Sequence, residues 1–128
     1  MAIQVYIKRA YDPASSDDGY RVLVDRLWPR GLSKETLKTD AWIKELAPSS
    51  VLRTWFGHKI ERWDGFRQRY QAELRTPEQR QRILEIKQAA KGQRITLVYG
   101  AKDTEHNQAV VLQQEMPSVF SSASKKGK

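Results

Sequence analysis

Three short stretches of the chain set cations beside carboxylates: KRAYD at 8–12, DRLWPRG at 25–31 and GAKDTEHN at 100–107. The pairs are Arg9 with Asp12, Arg26 and Arg30 with Asp25, and Lys102 with Asp103. A guanidinium is a planar fork that suits two-point binding of a phosphate or carboxylate. Pro29 and Gly31 constrain the turn around Arg30, and Trp28 adds an indole. Gly100 allows the backbone to turn or to approach a ligand closely. A helix expected to begin after Asp103 or Thr104 offers free N–H groups and a positive dipole end. His106 and Asn107 would sit in its first turn as further donors. These residue types fit a cleft for a small anion. If a reaction takes place there, Asp25 or His58 is the expected base, with hydrolysis or transfer at the anionic group. Each residue also has a purely structural reading. Asp103 suits a helix cap, a protonated His58 suits a helix C-terminus, Asp25 suits a pairing with Arg26 or Arg9, and Trp28 suits a core.

The elements that must position these residues are legible from periodicity. Ile3–Lys8, Arg21–Asp25 and Ile95–Tyr99 read as strands, bounded by polar residues and rich in β-branched and aromatic side chains. The second and third are continuous apolar runs, as in a parallel sheet covered on both faces. The first alternates and is expected nearer an edge. Each of the three stretches above follows or closes one of these strands, so parallel strands would gather all three at one edge of the sheet. Between the strands the sequence reads helical. Ser33 is expected to cap one helix, Ser49 or Ser50 a second that stops at Gly57. Trp63, Phe66, Tyr70 and Leu74 form a core stripe within 60–75. Thr76, Pro77 and Gln79 predict a helix start with a capping box, running to about Ala90 and ending at Gly92. The last helix is expected to end before Pro117. The segment 40–48 has room for a short fourth strand. The expected architecture is α/β: a small, mainly parallel sheet flanked by helices in a single compact domain over 1–117, followed by a disordered Ser/Lys tail over 118–128.

Composition narrows the function classes. The 128 residues suit one domain and include no cysteine, which excludes a disulfide scaffold, a thiolate metal site and a catalytic thiol. The start MAIQVYIKRAYD lacks the pattern of a secretory signal, and no apolar run is long enough to span a membrane, so a cytoplasmic protein is expected. The net charge is +8 and the pI about 9.9. Removing the tail lysines Lys125, Lys126 and Lys128 leaves +5, so a basic domain remains. Between Arg53 and Arg94 there are eleven basic and five acidic residues, and Arg69 and Glu73 have the spacing of a helical ion pair. That basic stretch, with Trp28, Trp42, Trp55 and Trp63 as a stacking platform, makes a nucleic-acid-binding module the first alternative. A protein-interaction domain with a structural charge network is the second. There is no Walker loop, GxGxxG, HExxH or GxSxG pattern. Asp12, Asp25 and Asp103 would hold Mg²⁺ only if the three exits converge, and the neighbouring cations are the simpler neutralisers, so no metal is assigned. No cofactor is specified by the sequence.

RVLVDRLWPRG, APSSVLRTWFGH, WDGFRQRYQAEL and ITLVYGAKDTEHNQAVVL resemble the uncharacterised YeaO-like family, domain of unknown function 488. The resemblance covers nearly the whole chain except the tail. It implies a compact single α/β domain of bacterial or archaeal type and brings with it no activity and no catalytic residue. Its motifs coincide here with Asp25, Arg26, Trp28, Pro29, Arg30, Gly31, Gly57, His58, Gly100, Lys102 and Asp103.

Overall fold

The five residues Ile95–Tyr99 are all buried, which sets them in the middle of the sheet. In the computed structural model, which describes residues 3–126, they form β4. It lies between β1 (Val5–Arg9) and β2 (Tyr20–Leu23), and a two-residue β3 (Ala41–Trp42) joins the far side of β2. The order is β1-β4-β2-β3 and every pairing is parallel. The register sets Val5 and Tyr20 both beside Ile95, and Leu23 beside Val98. The alternating strand is therefore at an edge, as its pattern predicts, and the segment 40–48 does contain a short fourth strand. Past the end of β2, Val24 still donates its N–H to the Val98 carbonyl at 3.0 Å, so Asp25 leaves the sheet beside the end of β4.

Side-chain alternation sends successive residues of a strand to opposite faces. Val22, Val24, Ile95, Leu97 and Tyr99 enter the main core, whereas Leu23 and Val98 enter a small second cluster with Ala10 and Leu37. The second cluster is covered by a single helical turn, α1 (Lys34–Leu37), capped by Ser33. Arg21 reaches this side of the sheet, almost fully buried. Its Nη1 meets Asp18 at 2.6 Å and its Nε and Nη2 donate to the last carbonyls of α1. The main core is closed by α2 (Ser50–Phe56), α3 (Trp63–Leu74), α4 (Pro77–Ala90) and α5 (Gln108–Lys126). Of these, α5 packs on β1 and β4 and on α3 and α4.

Ser49 and Thr76 cap α2 and α4 as their types predict, and the Gly57 N–H closes α2 on the Arg53 carbonyl. Several local expectations are corrected. Gln79 does not complete a capping box, because its amide donates to the Glu45 carbonyl instead. Glu73 does not pair with Arg69: it accepts from the Ser49 N–H and hydroxyl, while Arg69 stacks on Trp55 at 4.0 Å. Lys91, in the left-handed region, ends α4 one residue before the glycine expected to do so. The last helix starts at Gln108 rather than after Asp103 or Thr104, and it continues through Pro117. Val119 and Phe120 are buried in the main core, so the packed domain extends beyond the boundary drawn at residue 117. Backbone helix continues to Lys126 where a disordered tail is expected, and residues 127–128 of that tail lie outside the described residues. Among the described residues, no helix is long and apolar enough to cross a membrane.

Candidate ligand-binding cleft

With every strand parallel, the exits of β1, β2 and β4 share one edge of the sheet, and a cleft of about 380 Å³ opens there between the sheet and α2. Asp25 forms its inner wall. The Gly100 N–H donates to Asp25 Oδ2 at 2.8 Å, and the Gln108 amide donates to Oδ1. A Cβ at position 100 would stand 2.9 Å from Asp25 Oδ2, so any other residue there would push the carboxylate aside. Burial pushes the Asp25 carboxyl up to about 6, more than the two donors lower it.

Arg26 and Arg53 bring positive charge to the same cleft. Arg26 Nη2 donates to the Pro48 carbonyl at 3.2 Å, whereas its Nε is buried with no hydrogen-bond partner among the described residues. Arg53 lies on the exposed side of α2, and its guanidinium makes no ion pair or hydrogen bond among the described residues. His58 lines the cleft from the left-handed position just past Gly57, its ring 6.0 Å from Phe56.

The opposite rim is made by the 103–107 turn. Asp103 Oδ1 accepts from the N–H groups of Glu105 and His106, and its carboxylate meets His106 Nδ1 at 3.0 Å. The Glu105 N–H and the His106 contacts hold the Asp103 carboxyl below the usual range. An ionised Asp103 places the proton of a neutral His106 on Nδ1, which leaves Nε2 as the acceptor. The edge of Trp63 meets the His106 ring at 5.2 Å. Asn107 is buried and caps α5: its Oδ1 accepts from Ala109 and Val110, and its Nδ2 donates to the Asp103 carbonyl.

The structure thus brings Asp25, Arg26, His58, His106 and Asn107 to one cavity, with Gly100 behind Asp25 and Asp103 behind His106. Arg9, Trp28, Arg30 and Lys102 are not brought to it. Arg9 Nε donates to the Ala101 carbonyl, and its guanidinium lies over Tyr11. Trp28 turns to the other face of the sheet, bonds the Leu32 carbonyl and packs with the second cluster. Arg30 and Lys102 are exposed outside the lining. The expected N–H donors at the start of the last helix are also corrected, since Asp103 and Asn107 side chains already accept from them. Sequence reasoning passed over Arg53, Thr54 and Gln108. The signal for Arg53 is its place on the polar side of a helix whose other side, Leu52 and Phe56, is core; Gln108 carries none beyond following a cap. Asp12, Asp25 and Asp103 do not converge: among the described residues no three His, Cys, Asp or Glu side chains are grouped to hold a metal ion.

Residues 4–127 match the model of a family described as the inactive DUF488-N3 subclade. Escherichia coli K12 has a protein, uncharacterized protein YeaO, that is 48% identical over 111 residues, covering 86% of this chain and 94% of the relative. Uncharacterized proteins of Mycobacterium bovis and Mycobacterium tuberculosis are 48% identical over 71 residues, which is 56% of this chain and 60% of each relative. No solved structure matches the chain.

Proposed function

The chain belongs to the YeaO-like DUF488 family, in the subclade described as inactive DUF488-N3, and we propose that its cleft binds a small phosphate- or carboxylate-bearing molecule without transforming it. One observation carries this reading: two cations line one cleft with nitrogen atoms that have no acceptor among the described residues. Arg26 Nε is buried and unpartnered, and Arg53 has no internal partner among the described residues. A buried donor without a partner costs about 1–3 kcal/mol, and an anion that drew the Arg26 guanidinium towards the cleft would recover it. Asp25 supports binding over turnover, because both its oxygens already accept from Gly100 and Gln108. A cytoplasmic location, where phosphorylated and carboxylated metabolites are abundant, belongs to the same reading.

Thermal melting read by tryptophan fluorescence tests this against phosphate, nucleotides, sugar phosphates and dicarboxylates. A ligand that binds only the folded state at a hundredfold excess over Kd stabilises it by about 2.7 kcal/mol. The expected result is a raised midpoint with at least one small anion, reduced in Arg53→Ala while the unliganded midpoint stays unchanged. No shift with any of these anions overturns the reading. Chemical change of the bound anion, followed by phosphorus or proton NMR, would replace binding with catalysis.

A further inference from the structure

The cleft is cationic at some points and apolar at others, and the two kinds of surface are interleaved. Arg26 bonds the carbonyl of Pro48, so a cation and an apolar ring stand side by side at one wall. At the other wall Arg53 lies on the polar side of α2, and Phe56, three residues later, borders it from the core side. Phe56 stacks on Phe66 at 4.4 Å, and both line the cavity. Trp63 contacts both phenyl rings, so the ring array runs from His58 through Phe56, Phe66 and Trp63 to His106. At the lip stands Leu27, with 73% of its surface exposed to water. A large aliphatic side chain at the mouth of a cavity is a place where a ligand would cover apolar surface. The volume lies at the low end of the range for small-molecule sites, about 300–1,000 Å³, which suits a metabolite and not a polymer.

Resting on the reading of the cleft as an anion site, we infer that its ligand is an amphiphilic anion: one phosphate or carboxylate joined directly to a compact aromatic or aliphatic body. The anionic group meets Arg26 and Arg53, and the body lies against Pro48, Phe56, Phe66 and Leu27. A bare anion would leave exposed Leu27 and the cavity-facing edges of Pro48, Phe56 and Phe66 uncovered, and a purely apolar molecule would offer no acceptor to Arg26 Nε or to Arg53. The interleaving also limits the distance between the two parts of the ligand, because each cation has an apolar neighbour beside it.

Calorimetric titration of the full chain with matched pairs tests this: phenyl phosphate against inorganic phosphate, and benzoate against acetate. The aromatic member of each pair is expected to bind at least about tenfold more tightly, since a single methylene in an apolar pocket already gives that order of discrimination. Its binding is also expected to show a negative heat-capacity change, the mark of apolar burial. Leu27→Asn, at an exposed position, is expected to shrink the advantage of the aromatic member and to leave inorganic phosphate unaffected. Arg53→Ala is expected to weaken both members of a pair alike. If all four anions bind and the aromatic ones gain nothing, the amphiphilic ligand is overturned and the anion site stands. If none of the four binds, this inference falls, and failure across the wider anion panel would take the anion site with it.

Discussion

Asp25 and Asp18 are two carboxylates pushed in opposite directions, and the difference makes them separable by pH. Asp18 is buried, which raises its carboxyl, but the Ser15 N–H, Lys8 and Arg21 together outweigh burial and hold it below the usual value. Its stabilisation is therefore present at neutral pH and is lost as pH falls through its folded value. Asp18→Asn is expected to cost about 3–5 kcal/mol at pH 7 in urea denaturation, because it leaves the Arg21 guanidinium buried without its counter-ion. Asp25 has the other sign. Its folded carboxyl, raised to about 6, binds a proton more tightly than the unfolded chain, whose aspartates titrate near 3.9. Stability attributable to it is fully present below about pH 4 and falls as pH rises to about 6, by at most on the order of 3 kcal/mol. Asp25→Asn keeps an oxygen for the Gly100 N–H, and the Gln108 amide can turn to accept from the new side chain. The variant is expected to match the wild type at pH 4 and exceed it at pH 7.5. Parallel pH profiles for the two proteins would show that Asp25 is not held out of water as its surroundings imply. A carboxylate retained at a loss of stability is what a functional position predicts.

At the scale of elements, the sequence was legible where a local pattern had no tertiary competitor. The three strands followed from β-branched runs, and Ser33, Ser49 and Thr76 all cap the helices that their types announce. It misled where a side chain had a better partner at a distance. Glu73 left Arg69 for Ser49, 24 residues away, and Gln79 left its own helix for the Glu45 carbonyl. The start of α5 was misplaced because two cap residues compete within five positions: Asp103 closes a turn of its own, and the buried Asn107 takes the helix. Of the cleft, Asp25, Arg26, His106 and Asn107 were readable from the strand exits, whereas Arg9, Trp28, Arg30 and Lys102 point elsewhere and the facing cation on α2 depended on a packing arrangement that no local pattern encodes. Pro117 is the clearest case of packing overriding propensity. It lies inside α5, yet Met116, Val119 and Phe120 are buried on either side of it, and the gain from burying them keeps the helix going. Interior proline is about 3 kcal/mol worse than alanine, while loss of its restriction on the unfolded chain returns about 1 kcal/mol. Pro117→Ala is therefore expected to stabilise the protein by about 2 kcal/mol in urea denaturation, with anion affinity unchanged. An unaltered or lowered stability would mean that the helix already bends at Pro117 without loss.

For the molecule as a whole, the charge of +8 attracts any anion, so a specific site must be separated from a general field. The basic stretch from Arg53 to Arg94 is less available to a nucleic-acid backbone than its composition implies. Arg62 and Arg69 cover Trp55, Arg67 pairs with Asp64, Arg75 with Glu115, Arg82 bonds Gln79, and Arg94 lies over Tyr6. The tryptophans are engaged in turn: Trp28 and Trp42 meet edge to face, and Trp63 lies between Phe66 and His106. A duplex or single strand held by the general field would release one counter-ion for each phosphate it neutralises. With 6–10 phosphate contacts its affinity would fall by about 10³–10⁵ between 50 and 200 mM salt. A small anion seated between Arg26 and Arg53 neutralises few charges and is partly shielded from solvent, so its affinity is expected to change by less than about tenfold over the same interval. Titrating phenyl phosphate and a short RNA at both salt concentrations, with wild type and Arg53→Ala, separates the two cases. The cleft reading expects the small anion to be insensitive to salt and sensitive to Arg53, and the RNA to show the reverse. If the small anion follows the RNA in both respects, the charge of the surface accounts for its binding and the cleft does not.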